Sequence, residues 1–310
     1  MADDEFPTKD RLPLIPYHRE GRRVKGLVRY KIQHIANPFY EKEPLYRTGI
    51  SVGDYPVDHH HKKNPAAPQH LDFYPVPSFN IPLGALIPAS FTGIIIAEKG
   101  IGVSNIVNGA SRLQPCVLLT GQAAGTLAAL CIQQKKQAAQ VKVRDVQQQL
   151  LNSNAYIIPY VDVTPSSSYF QSIQRLGATG ILKGKPEPYK WENRTWFYPD
   201  SFVNTQLFIA DFKPFAHLEI CCNEQLTIEK ASQVLMVTGK KINLKNRLFN
   251  FEDGNKLNEQ LKINWAKWGL QNFDTNRKIT RAELAVLLDK TIDPFQWMQV
   301  THSGKFVLGK

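Results

Sequence analysis

The chain is short of cysteine and of acidic side chains, and each shortage narrows what the protein can be. Its four cysteines, Cys116, Cys131, Cys221 and Cys222, include no C-x-x-C pair and no spacing that a zinc site uses. Cys221 and Cys222 are adjacent, a poor arrangement for a disulfide because closing that ring strains the peptide between them. They fix no redox compartment. Only 27 acidic residues face 38 lysines and arginines, a formal charge of +11 that would suit an anionic partner. The basic residues are scattered, however, and the densest run, residues 18–29, interleaves Arg19, Arg22, Arg23, Lys25 and Arg29 with Glu20 and apolar side chains. That pattern is a solvated basic surface, not a nucleic-acid interface. Residues 1–11 are acidic and polar where an export signal is basic and then apolar, so no such signal is expected and localisation stays open. A dinucleotide fingerprint is also lacking. Gly100 and Gly102 are followed by Asn105 at the third glycine position, no helix is expected to begin at that loop, and no acidic residue lies about 20 positions on.

What is present is an ordinary soluble composition, 43% hydrophobic and 21% charged, with a length that favours two domains. Residues 12–88 are rich in proline, aromatic residues and short apolar runs, which predicts strands and irregular loops. Residues 92–97, TGIIIA, read as a strand buried on both faces. Gln114 and Pro115 open a long helix ending near Gln134, with proline placed where its missing N–H has no partner to lose. Residues 115–132 are about long enough to cross a bilayer but contain Thr120, Gln122 and Thr126, and read as a buried helix and not a membrane span. Small side chains at Gly121, Ala124, Gly125, Ala128 and Ala129 predict close packing of that helix on a sheet. Helices are further expected over residues 143–152, 167–176, 227–238 and 280–291, the last with Thr280 as cap and Glu283 at the capping-box position. The boundary between domains falls near residue 160.

Two features carry possible chemistry. The start of the long helix offers the N–H groups of Gln114, Cys116 and Val117 to a negative charge, reinforced by the helix dipole. Asp58 is followed by His59, His60 and His61, but neighbours on an extended chain point to opposite faces and do not converge on one ion, so no metal site is expected. Asp58 and His59 are candidates for lining a substrate pocket.

Residues 93–130, GIIIAEKGIGVSNIVNGASRLQPCVLLTGQAAGTLAAL, resemble the last strand, loop and helix of FAD-dependent oxidoreductases of the broad fumarate reductase-like superfamily. PYHREGRRVKG from Pro16, VGDYPVDHH from Val52 and IPLGALIP from Ile81 are similar to further motifs of one bacterial branch, in the same order. The resemblance implies an α/β (α+β) fold in which residues 11–160 form the carboxy-terminal portion of the oxidoreductase domain. It implies FAD as cofactor, with Gln114, Pro115, Cys116 and Val117 facing the flavin pyrimidine edge. Glu98 and Lys99 stand where many relatives have Gly-Arg beside the cofactor. Arg112 aligns with an arginine near substrate and flavin, though its spacing to GQAAG is shorter than in fumarate reductases. The implied chemistry is hydride transfer from a small or sugar-like substrate to flavin. The same family holds the other end of FAD in a G-x-G-x-x-G unit that this sequence does not have. The chain alone is therefore expected to bind flavin weakly or not at all, to be inactive, and to associate through exposed strand edges.

Residues 161–184 and 265–288, the latter containing ITRAEL, resemble the start and the end of S-layer-homology repeats. The resemblance implies a second, smaller, mainly helical domain over residues 161–310 that packs against the first or docks to cell-surface polysaccharide. Two rival functions follow: a polysaccharide lyase built on Tyr55, His59 and Arg112, and a non-enzymatic surface protein gripping an acidic glycan.

Overall fold

The computed structural model describes residues 8–9, 21–58, 74–219, 224–242 and 248–307. The elements are, in chain order, α1 (Ile32–Ala36), β1 (Gly49–Gly53), β2 (Phe79–Pro82), α2 (Asn105–Ser111), α3 (Gln114–Gln134), α4 (Val143–Asn152) and α5 (Phe170–Thr179). They continue with β3 (Lys185–Glu187), β4 (Arg194–Trp196), α6 (Thr205–Phe212), α7 (Ile228–Lys241), α8 (Gly254–Trp265), α9 (Arg281–Thr291) and α10 (Pro294–Trp297). This is a mixed α/β chain in which helix predominates. Among the described residues the strands pair as two antiparallel two-stranded sheets, β1 with β2 and β3 with β4. The buried apolar side chains form one connected core from Tyr30 to Val300.

The long helix begins and ends where its sequence signals place it. Lys135, in the left-handed region at φ 53°, terminates α3. Cys116, Thr120, Ala123, Ala124, Leu127 and Leu130 form its buried side, which packs on β1 and α4. The opposite side is open: Leu118 and Ile132 are 74% and 79% exposed, and nothing lies within 4 Å of a Cβ built on Gly125. α3 is long and apolar enough to cross a membrane, with only 33% of its most apolar window buried.

Residues 92–97 correct the expectation of a buried strand. They form no strand, residues 91–94 are exposed, and Ile94 keeps 49% of its surface. A strand buried on both faces needs paired neighbours to satisfy its backbone, and among the described residues Ile96 makes one bond of that kind, its N–H to the Leu86 carbonyl at 2.9 Å. The run instead lies along α3, with the Gly93 N–H on Gln137 Oε1 at 3.2 Å and the Ala97 carbonyl over Gly121. A second correction concerns the loop that follows: a helix does begin there. α2 starts at Asn105, capped by the Ser104 hydroxyl, which accepts from the Val107 N–H. The glycine at 102 has a packing cause, since a Cβ would lie 2.8 Å from the Val28 carbonyl and 3.1 Å from the Gly26 backbone.

Near α1, a buried histidine sits between a backbone N–H and a carboxylate. The Lys31 N–H donates to His34 Nδ1 at 3.0 Å, so Nε2 carries the proton toward Glu43, 3.2 Å away. Burial depresses the pKa of His34, and Glu43 only partly offsets it. The unfolded chain therefore binds a proton that the folded one resists, and the contribution to stability present above about pH 6.5 is lost as pH falls below it. The loss of stability between about pH 6.5 and 5 should be smaller in His34→Gln than in the parent, measured by urea unfolding. Equal slopes would show that His34 titrates alike in both states.

The second half is organised by a ring of three turns. The Val203 N–H donates to the Ile279 carbonyl at 3.1 Å, Ile279 to Leu226 at 2.9 Å, and Leu226 to Val203 at 2.9 Å. Each of these buried residues precedes a helix cap: Asn204, Thr227 and Thr280 accept from the N–H groups of Leu207, Lys230 and Glu283 at the starts of α6, α7 and α9. The capping box at Thr280 is complete, with Glu283 Oε2 accepting from the Thr280 N–H at 2.9 Å.

Three polar fastenings join this half to the first. Arg175 on α5 binds Asp289 of α9 and Asp293 before α10, both at 2.5 Å, and reaches Gln148 of α4. Ser172 donates to the other oxygen of Asp289 at 2.8 Å. Arg144, wholly buried on α4, donates to the carbonyls of Arg47 and Ala178 and to Gln147, and its guanidinium lies over Phe295 at 4.4 Å. Burial and the nearby Arg47 push its pKa down to about 9. Residues 299–307 then fold back on the beginning: Arg47 donates to the Gly304 carbonyl at 3.3 Å, its guanidinium lies 4.0 Å from the centre of the Phe306 ring, and His302 meets the Ala139 carbonyl at 3.2 Å.

Candidate flavin and substrate site

Two of the three catalytic candidates come together. Arg112, the residue that ends α2, is buried, and its Nη2 donates to the Asp58 carbonyl at 3.0 Å and lies 3.9 Å from the Asp58 carboxylate. Gly109 permits the approach, because a Cβ there would stand 2.5 Å from the Asp58 carbonyl oxygen. His59 lies outside the described residues, as do His60, His61, Cys221 and Cys222. Among the described residues no group of three metal-ligating side chains converges.

The start of α3 follows Arg112 by two residues. Its N-cap is Leu113, whose side chain cannot cap. The Val117 N–H is already committed to the Leu113 carbonyl at 2.9 Å, which corrects the expectation that it offers a donor. Pro115 has none, so the donors at this helix end are the N–H groups of Gln114 and Cys116. Burial pushes the Cys116 thiol up to about 12, with a hydrogen bond from Thr120 partly opposing and Asp54 adding to the rise. Glu98 and Lys99 pair with each other at 3.1 Å. The preceding residue, Ala97, lies over Gly121, about 10 Å along α3 from Gln114, so the structure does not gather all six proposed cofactor residues at one point.

Sequence reasoning passed over the residues that line the clefts beside this helix start. Asp54 immediately follows β1, within the VGDYPVDHH segment from which Tyr55, Asp58 and His59 were drawn but Asp54 was not. It shares a cleft of about 340 Å³ with Pro115, Leu119, Ser78, Glu192 and Asn193. Partial burial and, to a lesser degree, the charge of Glu192 raise the Asp54 carboxyl above its ordinary range. Tyr55 packs on Trp191, with ring centres 5.8 Å apart.

With that geometry in view, the comparisons add one relationship. The family model described as FAD dependent oxidoreductase matches residues 1–150. This part of the chain is similar to FAD-dependent oxidoreductases, a family whose cofactor is FAD. No curated protein and no solved structure matches the chain. The described residues fit one end of FAD. The uncapped start of α3 suits the pyrimidine edge, whereas no parallel β-α-β unit with a glycine turn stands among them to hold the pyrophosphate.

Proposed function

We propose that residues 1–150 serve the flavin-edge and substrate side of a FAD-dependent oxidoreductase. The observation that carries this is the uncapped start of a 21-residue helix directly after the Arg112–Asp58 pair, inside the region that matches the family. Flavin, when bound, supplies hydride acceptance from a small or sugar-like substrate. The chain's own contribution is electrostatic and positional. The N–H groups of Gln114 and Cys116 and the dipole of α3 favour negative charge at the helix end. Arg112 is held in place by the Asp58 carbonyl, which fixes a buried cation beside that end without mobile side-chain torsions to order.

Because only one end of FAD finds matching residues, the expected behaviour is weak, reversible binding. Flavin fluorescence should be quenched by excess chain, FMN and FAD should bind alike, and no band near about 450 nm should survive desalting. Absence of quenching with both flavins would overturn the assignment of the α3 start. FAD bound far more tightly than FMN would show instead that the chain holds the adenosine end as well.

A further inference from the structure

α3 buries one side and leaves the other exposed. Its exposed positions Leu118, Gln122, Gly125, Ala129 and Ile132 recur at alternating intervals of four and three residues, which sets them in one line along the helix. That line runs for about 21 Å. Residues 91–97 lie beside it, fixed by the Ala97 carbonyl over Gly121 and by the bond from Gly93 to Gln137. They add Phe91, 66% exposed, and the exposed Ile94 to the same apolar surface. The 21 residues of α3 include no charged side chain. A contiguous apolar face of this kind marks an interaction surface.

Its surroundings are basic. Lys135 and Lys136, both exposed, follow directly on α3. Lys25, also exposed, lies beside residues 89–93, since the Ala89 N–H donates to the Lys25 carbonyl at 2.8 Å. The exposed Arg22 lies next to Gly100, at the other end of the 91–97 run. Over residues 21–40 and 74–142 the one acidic residue is Glu98, paired with Lys99 at 3.1 Å. From α4, Asp145 meets the end of α3, where it accepts from Gln134 Nε2 at 3.0 Å.

The charge decides between occupants. A second copy of the chain would bring the same cations against these. A stripe about 21 Å by 10 Å also falls well short of the roughly 800 Å² that each partner of a stable pair buries. An anionic bilayer meets both parts of the surface at once: apolar side chains enter the boundary between headgroups and acyl chains, and the flanking lysines and arginine meet the phosphates. The helix lies along such a surface and not across it, because its other side stays packed on β1 and α4. We propose that the open face of α3, with residues 91–94, is a peripheral docking surface for an anionic membrane. The proposal is independent of flavin.

The test is co-sedimentation of the full chain with vesicles of phosphatidylcholine alone and of phosphatidylcholine with about 30% phosphatidylglycerol. Binding to the anionic vesicles is expected, and salt at about 0.5 M should weaken it. Replacing Leu118→Gln together with Ile132→Gln should weaken it at least about tenfold, and so should Lys135→Gln with Lys136→Gln. All four side chains are exposed, so both variants should keep the parent's thermal unfolding. No binding to anionic vesicles, equal binding to neutral ones, or unchanged affinity in the Leu118 and Ile132 variant would each overturn the proposal. A dimer seen by light scattering and dissolved by that same variant would overturn it too, by assigning the face to a second copy.

Discussion

Replacing Arg175 by alanine should lower the free energy of unfolding by about 3–5 kcal/mol, the range for removing one partner of a buried ion pair. The side chain is 11% exposed and holds Asp289, itself 4% exposed, with Asp293 on its other nitrogen. Without it, Asp289 keeps the Ser172 hydroxyl and the neighbouring Lys290 at 3.6 Å, too little to satisfy a carboxylate out of water. Arg175→Met keeps the apolar stem over Phe295, 4.7 Å from the present guanidinium, and should cost nearly as much if charge is the cause. Double replacement with Asp289→Leu should recover much of the loss, because both buried charges then disappear. Urea unfolding of the three variants decides this. A loss below about 1 kcal/mol for Arg175→Ala would place the network with ordinary surface pairs.

Gly49→Ala should cost about 3 kcal/mol or more by a different route, overpacking combined with broken buried hydrogen bonds. A Cβ at residue 49 would stand 2.0 Å from Asn80 Nδ2 and 2.4 Å from the Ile157 carbonyl oxygen. Asn80 is 2% exposed, and its amide donates to the Tyr46 and Ile157 carbonyls at 2.8 Å each. One methyl group therefore displaces the link between β2, the turn before β1 and the segment leading to α5. Asn80→Ala should be comparably damaging, since it leaves two buried carbonyls without that donor. The pair should be clearly less than additive, because both changes break the same link. Additive losses would mean that the glycine matters for something other than room for Asn80.

These tests bear on how far the sequence could be read. α3 and α4 were legible at both ends because their signals are local: Pro115 at the start of one, and an apolar period over residues 143–152 in the other. The Thr280–Glu283 box was legible for the same reason. The exposure of residues 92–97 was not, because a run of isoleucines describes the strand it can form, while burial depends on neighbours elsewhere in the chain. In the ring of three turns, ITRAEL marks one turn plainly. The Thr227 turn was read only as a helix start, and the Asn204 turn lacks the pattern altogether. Of the site, Asp58 and Arg112 were picked separately and the structure joins them, although 54 positions separate them. The clefts were invisible, since Asp54, Ser78 and Asn193 meet only after β1, β2 and the β3–β4 hairpin have assembled.

The return of residues 299–307 to Arg47 sets an order of events during synthesis. The hydrogen bond from Arg47 to Gly304 spans 257 positions, and the Pro44 carbonyl occupies the space that a side chain at Gly304 would need. While translation proceeds, Arg47 has neither Phe306 to cover it nor that carbonyl to satisfy it, and the buried Arg144 beneath awaits Phe295 as well. The amino-terminal region thus leaves the ribosome with a polar seam open to water. Until residues 299–307 are in place that seam stays unpacked, the kind of surface on which chaperones and proteases act.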